Sequence, residues 1–125
     1  MSPLICEATN DTPFVRLENG LIEIRGKSIS EDPKGFYQPV YQWIKKYMRN
    51  PVDPTVVDLK FEYINTSSSK WVFNILKVIG DEFDPDKIIR ISWHYEYGDD
   101  DMLELGKIFE SLVKRPFSFI ESKEH

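Results

Sequence analysis

The residues best suited to chemistry lie in one stretch, Tyr63-Ile64-Asn65-Thr66-Ser67-Ser68-Ser69-Lys70. An asparagine precedes four consecutive hydroxyl residues and a lysine. Side chains of this kind do two sorts of work at a helix start. One is capping, in which a side-chain oxygen accepts from an unpaired backbone N–H; a single residue suffices, and the others are surplus. The other is to hold an anion or accept a phosphoryl group, because the N–H groups and dipole of a helix start favour negative charge. Both readings stand on these residues: a cap with small polar neighbours, or an anion or phosphorylation site with Lys70 one turn in as its counter-charge. The Gly-x-x-x-x-Gly-Lys pattern is absent, so the stretch is not a nucleotide P-loop.

Other reactive side chains make weaker patterns. Glu96, Asp99, Asp100, Asp101 and Glu104 form an acidic cluster. Carboxylates bind metals, and a metal-dependent hydrolase is one rival function. Acids in a first helical turn also simply complement the helix dipole, and the run lacks the glycine-centred spacing of a calcium loop. The expectation is a docking rim, with Glu96 and Asp101 as candidate partner contacts and no metal or cofactor. His94 and His125 are the only histidines. His94 falls on a polar strand face near Arg90, and a catalytic role would need a third, orienting group. Cys6 is the single cysteine, which excludes an intrachain disulfide and a Cys-rich zinc site. Trp43, Trp71 and Trp93 are ordinary core or rim residues by type. Trp71, off the main apolar stripe and beside the hydroxyl run, is the candidate interface anchor.

The elements around these residues follow from periodicity. Phe14 to Leu17 and Leu21 to Arg25 read as strands joined at Glu18-Asn19-Gly20, where Asn-Gly supplies the two positive-φ positions of a tight hairpin turn. Asp32-Pro33 predicts a cap and first position for a helix with Phe36, Val40, Ile44 and Tyr47 on one side and Trp43 beside them. Pro39 predicts a kinked first turn or a late start. Val56 to Ile64 alternates: Val57, Leu59, Phe61 and Tyr63 on one face, Asp58, Lys60 and Glu62 on the other. Val72, Ile75, Leu76, Ile79 and Phe83 stripe a second helix. Ile88 to Tyr95 alternates again. Gly98-Asp99-Asp100-Asp101 opens a third helix with Met102, Gly106, Phe109 and Leu112–Val113 on its stripe, and Phe117 to Ile120 is a last strand. The expected order is ββαβαβαβ, an α/β (α+β) domain with a mixed sheet. Strand–helix–strand alternation implies parallel neighbours with right-handed crossovers. Two successive strands with polar faces imply helices mainly on one face and a solvated second face.

Composition sets the bounds. The chain has 125 residues, enough for a single domain, here spanning 1–125 with an ordered core of about 12–121. Sixteen basic against twenty-one acidic residues give a net charge of −5, which argues against nucleic acid or an anionic membrane as the main partner. The first dozen residues and Ser122 to His125 read as polar, loose ends. No apolar run approaches the roughly 20 residues of a membrane helix, and no signal-peptide pattern is seen, so a cytoplasmic location is expected.

The sequence resembles the SiaC-type regulatory phosphoproteins, bacterial single-domain proteins once known only as a domain of unknown function. The resemblance runs through Gly26-Lys27-Ser28 with Glu31, Phe36-Tyr37-Gln38-Pro39 with Trp43, and Phe61 to Lys70. It continues through Trp93-His94-Tyr95-Glu96, Asp101-Met102-Leu103-Glu104 and Pro116-Phe117. The Asn-Thr-Ser-Ser turn after a strand is its most specific part. The family is similar in fold to anti-sigma-factor antagonists, the STAS-like domains, which also place a phosphorylatable hydroxyl before a helix. The resemblance implies a non-enzymatic switch protein. A kinase with a histidine-kinase-type ATPase fold would phosphorylate Thr66, and a PP2C-type phosphatase would reverse it. The unphosphorylated form would bind an output protein such as a diguanylate cyclase, raising cyclic di-GMP and favouring biofilm. Asn65, Ser67, Ser68, Ser69 and Lys70 would shape the site. The alternative is a small-ligand or nucleotide sensor that uses the same helix start as an anion site.

Overall fold

The computed structural model describes residues 1–123; His125 lies outside the described residues. In chain order the elements are β1 (Leu4–Cys6), β2 (Phe14–Glu18), β3 (Leu21–Ser28), α1 (Pro33–Tyr47), β4 (Thr55–Ile64), α2 (Thr66–Glu82), β5 (Ile89–Glu96), α3 (Asp100–Val113) and β6 (Phe117–Ser122). One mixed sheet holds the strands in the order β1-β2-β3-β4-β5-β6. The first three are antiparallel, and β3 through β6 are parallel neighbours. Every crossover therefore steps in the same direction across the sheet. Right-handed crossovers that all step one way put every helix on the same face. That is the one-sided packing expected from the strand alternation.

Burial follows the alternation. Val15, Leu17, Ile22, Ile24, Val57, Leu59, Ile91 and Trp93 are buried beneath the helices, while Arg16, Arg25, Lys60, Glu62 and Arg90 are exposed on the open face. The helices contribute Val40, Ile44, Ile75, Leu76, Ile79 and Phe109 to the same core. Gly106 lets α3 close on the sheet: a Cβ there would lie 2.5 Å from the Trp93 ring. The Trp93 indole N–H donates to the Met102 carbonyl across that contact, at 2.9 Å.

Several expectations are corrected. The first dozen residues are not loose throughout, because β1 pairs with β2 through Leu4↔Leu17 and Cys6↔Val15. The segment is held by contacts distant in sequence: Trp43 Nε1 donates to the Ser2 carbonyl, and the Met1 ammonium donates to Asn19 Oδ1. The order thus gains a leading strand. At the β2–β3 hairpin only Gly20 takes a positive φ, 87°, and Asn19 does not. Packing sets this turn from outside, since Gly20 N donates to Tyr47 Oη and Val56 N donates to the Gly20 carbonyl. Pro39 neither delays nor ends α1, which begins at Pro33 under an Asp32 cap. Pro39 and Gly35 both lie on the exposed side, where water can satisfy the Gly35 carbonyl that loses its helical donor. Tyr63 is 64% exposed rather than on the core face. The β4–β5 ladder ends at Leu59↔Trp93, so β4 outruns its cover there. Asp58 is half-buried because His94 Nε2 lies 2.6 Å from its Oδ1. Leu112 is 48% exposed, and Val113 alone carries the end of the α3 stripe.

Candidate functional site

The turn between β4 and α2 is built around Asn65. Its backbone N–H donates to the Ser28 carbonyl at 3.0 Å, extending the parallel pairing by one bond. Its side-chain Oδ1 accepts from Ser68 N at 2.8 Å and from Ser67 Oγ at 3.4 Å. Its Nδ2 donates to the Ser30 carbonyl at 3.2 Å, which ties the turn to the loop before α1. Asn65 is therefore the cap, and the four hydroxyls behind it are relieved of that work. Thr66 is the first residue of α2 and is exposed. Ser67 is exposed; Ser69 Oγ donates back to the Thr66 carbonyl at 2.8 Å. Ser68 is fully buried, and its Oγ has no hydrogen-bond partner. Lys70 is exposed one turn beyond Thr66, on the same side of the helix.

Thr66 opens onto a groove of about 500 Å³. Glu62, Tyr63 and Ile64 from the end of β4 form one wall, and Asp99, Asp101, Met102 and Leu105 from the start of α3 form the other. Parallel β4 and β5 end at the same edge of the sheet, so their following helices start side by side. Asp99 caps α3, its Oδ1 accepting from Met102 N at 3.1 Å, and Asp100 and Asp101 occupy the first turn. These acids complement the α3 dipole, yet they also make the groove negative. A phosphate on Thr66 would be drawn by the start of α2 and by Lys70, and repelled by Glu62, Asp99 and Asp101.

The remaining candidates lie elsewhere. Trp71 is half-buried on the other flank of α2, edge-on to Tyr41 with centroids 6.3 Å apart. Glu96 is exposed at the end of β5 and does not line the groove. His94 pairs with Asp58 on the open sheet face, away from Thr66. Among the described residues, no group of three or more His, Cys, Asp or Glu side chains is placed to hold a metal ion. Glu62 and Tyr63 were not anticipated in the groove. The strand pattern assigned one to the open face and the other to the core, and only the shared sheet edge brings them to Thr66. Behind the turn, Ser28 Oγ and Tyr37 Oη are 2.6 Å apart in the interior. Burial pushes the Tyr37 phenol up to about 12, with the Ser28 hydrogen bond opposing.

A model of the SiaC family of regulatory phosphoproteins matches residues 6–122. The chain belongs to this family. An uncharacterized protein of Pseudomonas aeruginosa (strain UCBPP-PA14) is 26% identical over 120 residues, covering 94% of this chain and 95% of its own. A solved structure of SiaC from P. aeruginosa is similar with a TM-score of 0.87 at 25% identity, over 98% of this chain and 100% of that one. A chain from the P. aeruginosa complex of the diguanylate cyclase SiaD with its activator SiaC gives a TM-score of 0.86 at 24% identity, over 95% and 99%. That last likeness is one of fold. The fold expected from the family resemblance is the one observed. No helix among the described residues is long and apolar enough to cross a membrane.

Proposed function

We propose that this SiaC-family chain is a non-enzymatic cytoplasmic switch whose reversible phosphorylation on Thr66 controls the binding of an output protein such as a diguanylate cyclase. The observation that carries the reading is the division of labour in the turn. Asn65 caps α2, so Thr66 sits at the first helical position with its hydroxyl exposed to a modifying enzyme. Among the described residues no histidine lines the Thr66 groove to act as base, which favours a substrate hydroxyl over a catalytic one. The solved complex of a SiaC with the cyclase SiaD supports a protein partner as the output. A dedicated kinase with a histidine-kinase-type ATPase fold and a PP2C-type phosphatase would set the phosphorylation level, and cyclic di-GMP and biofilm would follow the cyclase.

The mechanism is local electrostatics. Phosphorylation adds about −1.5 to −2 charges. At a helix start that charge is tolerated, so the fold persists. Inside a groove already lined by Glu62, Asp99 and Asp101, it is driven outward with its hydration shell, and the docking rim changes shape and charge. The sensor alternative has less support: a sheet of sequential order has no reversal of winding and so lacks the crevice in which open α/β sheets bind nucleotides.

The test is mass spectrometry after incubation with kinase and ATP, followed by capture of the cyclase. Phosphate on Thr66, its loss in Thr66→Ala, and weaker capture by the phosphorylated form are expected. Thr66→Glu should weaken capture less than phosphate, having one charge and fewer acceptor oxygens. Phosphate only on another residue, or equal capture by both forms, would overturn the reading.

A further inference from the structure

The flank of α2 opposite the Thr66 groove carries a second surface. α1 and α2 run parallel, and a furrow made of two hollows that meet at Gln42 follows their junction. At its upper end lie Gln38, Tyr41, Trp71, Asn74 and Lys77, the last bridged to Asp81 at 3.1 Å. At its lower end lie Lys45, Lys46, Arg49 and Glu82, and Gln42 joins the two. Each half encloses about 400 Å³ of open space, 390 Å³ above and 430 Å³ below. From Trp71 to Glu82 the furrow runs roughly 16 Å, about three helical turns. One end presents an aromatic pair, the half-buried Trp71 edge-on to Tyr41, and the other is mainly basic. Lys45 is bridged to Glu82 at 2.6 Å, but Lys46 and Arg49 form no ion pair among the described residues. The lining thus carries more positive than negative side chains, Lys45, Lys46, Arg49 and Lys77 against Glu82, on a chain of net charge −5.

We infer that this furrow is a docking surface for an acidic amphipathic helix of a protein partner, separate from the Thr66 groove. The dimensions fit a helix laid along two others, with apolar side chains on Trp71 and Tyr41. Charge complementarity fixes the partner's chemistry and direction: its carboxylates lie over Lys46 and Arg49. Lysine or arginine on that end would be rejected. Because Thr66 and Trp71 face opposite flanks of α2, the furrow binds its helix whatever the state of Thr66.

The experiment is a titration of the ¹⁵N-labelled full chain with a lactam-stapled helix of about 14 residues, long enough to span the furrow. The peptide bears leucines on one face and glutamates at one end, and its twin carries lysines at that end. Expected are shifts of the Trp71 indole and the Gln42 and Asn74 side-chain amides, saturable with the acidic peptide and absent with the basic one. Lys46→Glu with Arg49→Glu, both on exposed positions that leave the core intact, should weaken the acidic peptide about tenfold or more and allow the basic twin to bind. Thr66→Glu should leave the affinity within about twofold, because a charge on the far flank is largely screened. Absence of shifts, shifts confined to the Thr66 groove, indifference to the double charge reversal, or a strong effect of Thr66→Glu would each overturn the inference.

Discussion

Two hydroxyls bracket β4, and both are completely buried, Thr55 at its start and Ser68 just beyond its end. Thr55 is fully employed. Its Oγ1 donates to the Val52 carbonyl at 2.6 Å and lies 2.8 Å from Tyr47 Oη, which also accepts from Gly20 N and Val52 N. One phenol and one threonine thereby fasten the hairpin, the end of α1 and the entry to β4. Ser68 has no hydrogen-bond partner, although it sits in the first turn of α2. An unpaired buried hydroxyl forfeits its hydration without return, at a cost of about 1–3 kcal/mol. Buried polar groups are fully employed at one end of β4 and carry slack at the other. The end of the sheet remote from Thr66 is satisfied group by group, and the end that bears Thr66 is not.

The largest way to break this contrast is at the satisfied end. Tyr47→Phe strands two backbone N–H groups and removes the donor to Thr55 Oγ1 in one step. It should cost about 2–4 kcal/mol, since each stranded group carries a penalty of about 1–3 and some relaxation follows. Urea denaturation would measure it, and a loss under about 1 kcal/mol would mean the network is decorative.

Next in size is a pH effect that sits between the two ends. Tyr37 Oη and Ser28 Oγ are paired in the interior, and the folded phenol titrates near 12 against an ordinary 10. Between those values the unfolded chain has lost a proton that the native chain keeps. The stabilising contribution is complete below about pH 10 and falls as pH rises towards 12, by about 2–3 kcal/mol in all. Tyr37→Phe should remove this slope. Identical alkaline slopes in the two proteins would count against the buried phenol.

How much of this was legible in the sequence depends on the range of the cause. The Asp32 cap, the strand alternation at Val57 to Phe61 and the helix start after Asn65 follow from local chemistry, and all are observed. Thr66 as an exposed first-turn residue was legible for the same reason. What escaped was set by partners far along the chain. β1 exists because Trp43 and β2 hold it, Asp58 is half-buried because His94 reaches it, and Asn19 keeps a negative φ because Tyr47 and β4 grip Gly20. The groove itself needed topology. Glu62, Thr66 and Asp101 meet only because β4 and β5 are parallel neighbours that end on one edge. Trp71, named beside Thr66 by sequence proximity, turns to the other flank since five residues along a helix is nearly a half-turn out of phase.

At the slack end the cap gives a smaller effect. Asn65→Ala removes the acceptor for Ser68 N and the link from Nδ2 to the Ser30 carbonyl. A lost cap costs about 0.5–2 kcal/mol, and the tie to the α1 loop places this one in the upper half of that range. Amide hydrogen exchange should accelerate first in Ser67 to Ser69. Unchanged exchange there, with unchanged stability, would show that the turn is held by β4 rather than by its asparagine.

The smallest effect has the opposite sign, and for that reason it tests the comparison best. Ser68→Ala deletes a hydroxyl that has no partner to lose, and alanine is the better helix former by up to about 0.7 kcal/mol. The variant should be between unchanged and about 1 kcal/mol more stable than the parent, because folding no longer strips an unpaired hydroxyl of its water. Thr55→Ala, at an equally buried position, should instead destabilise by about 1–3 kcal/mol, because it takes the acceptor from the Tyr47 O–H and the donor from the Val52 carbonyl. Paired denaturation curves for the two alanine variants give the answer. Opposite signs mean that β4 joins a satisfied end to an unsatisfied one. A destabilised Ser68→Ala would mean that the hydroxyl has a partner in solution, and the slack at the Thr66 end would then have to be sought in Asn65 alone.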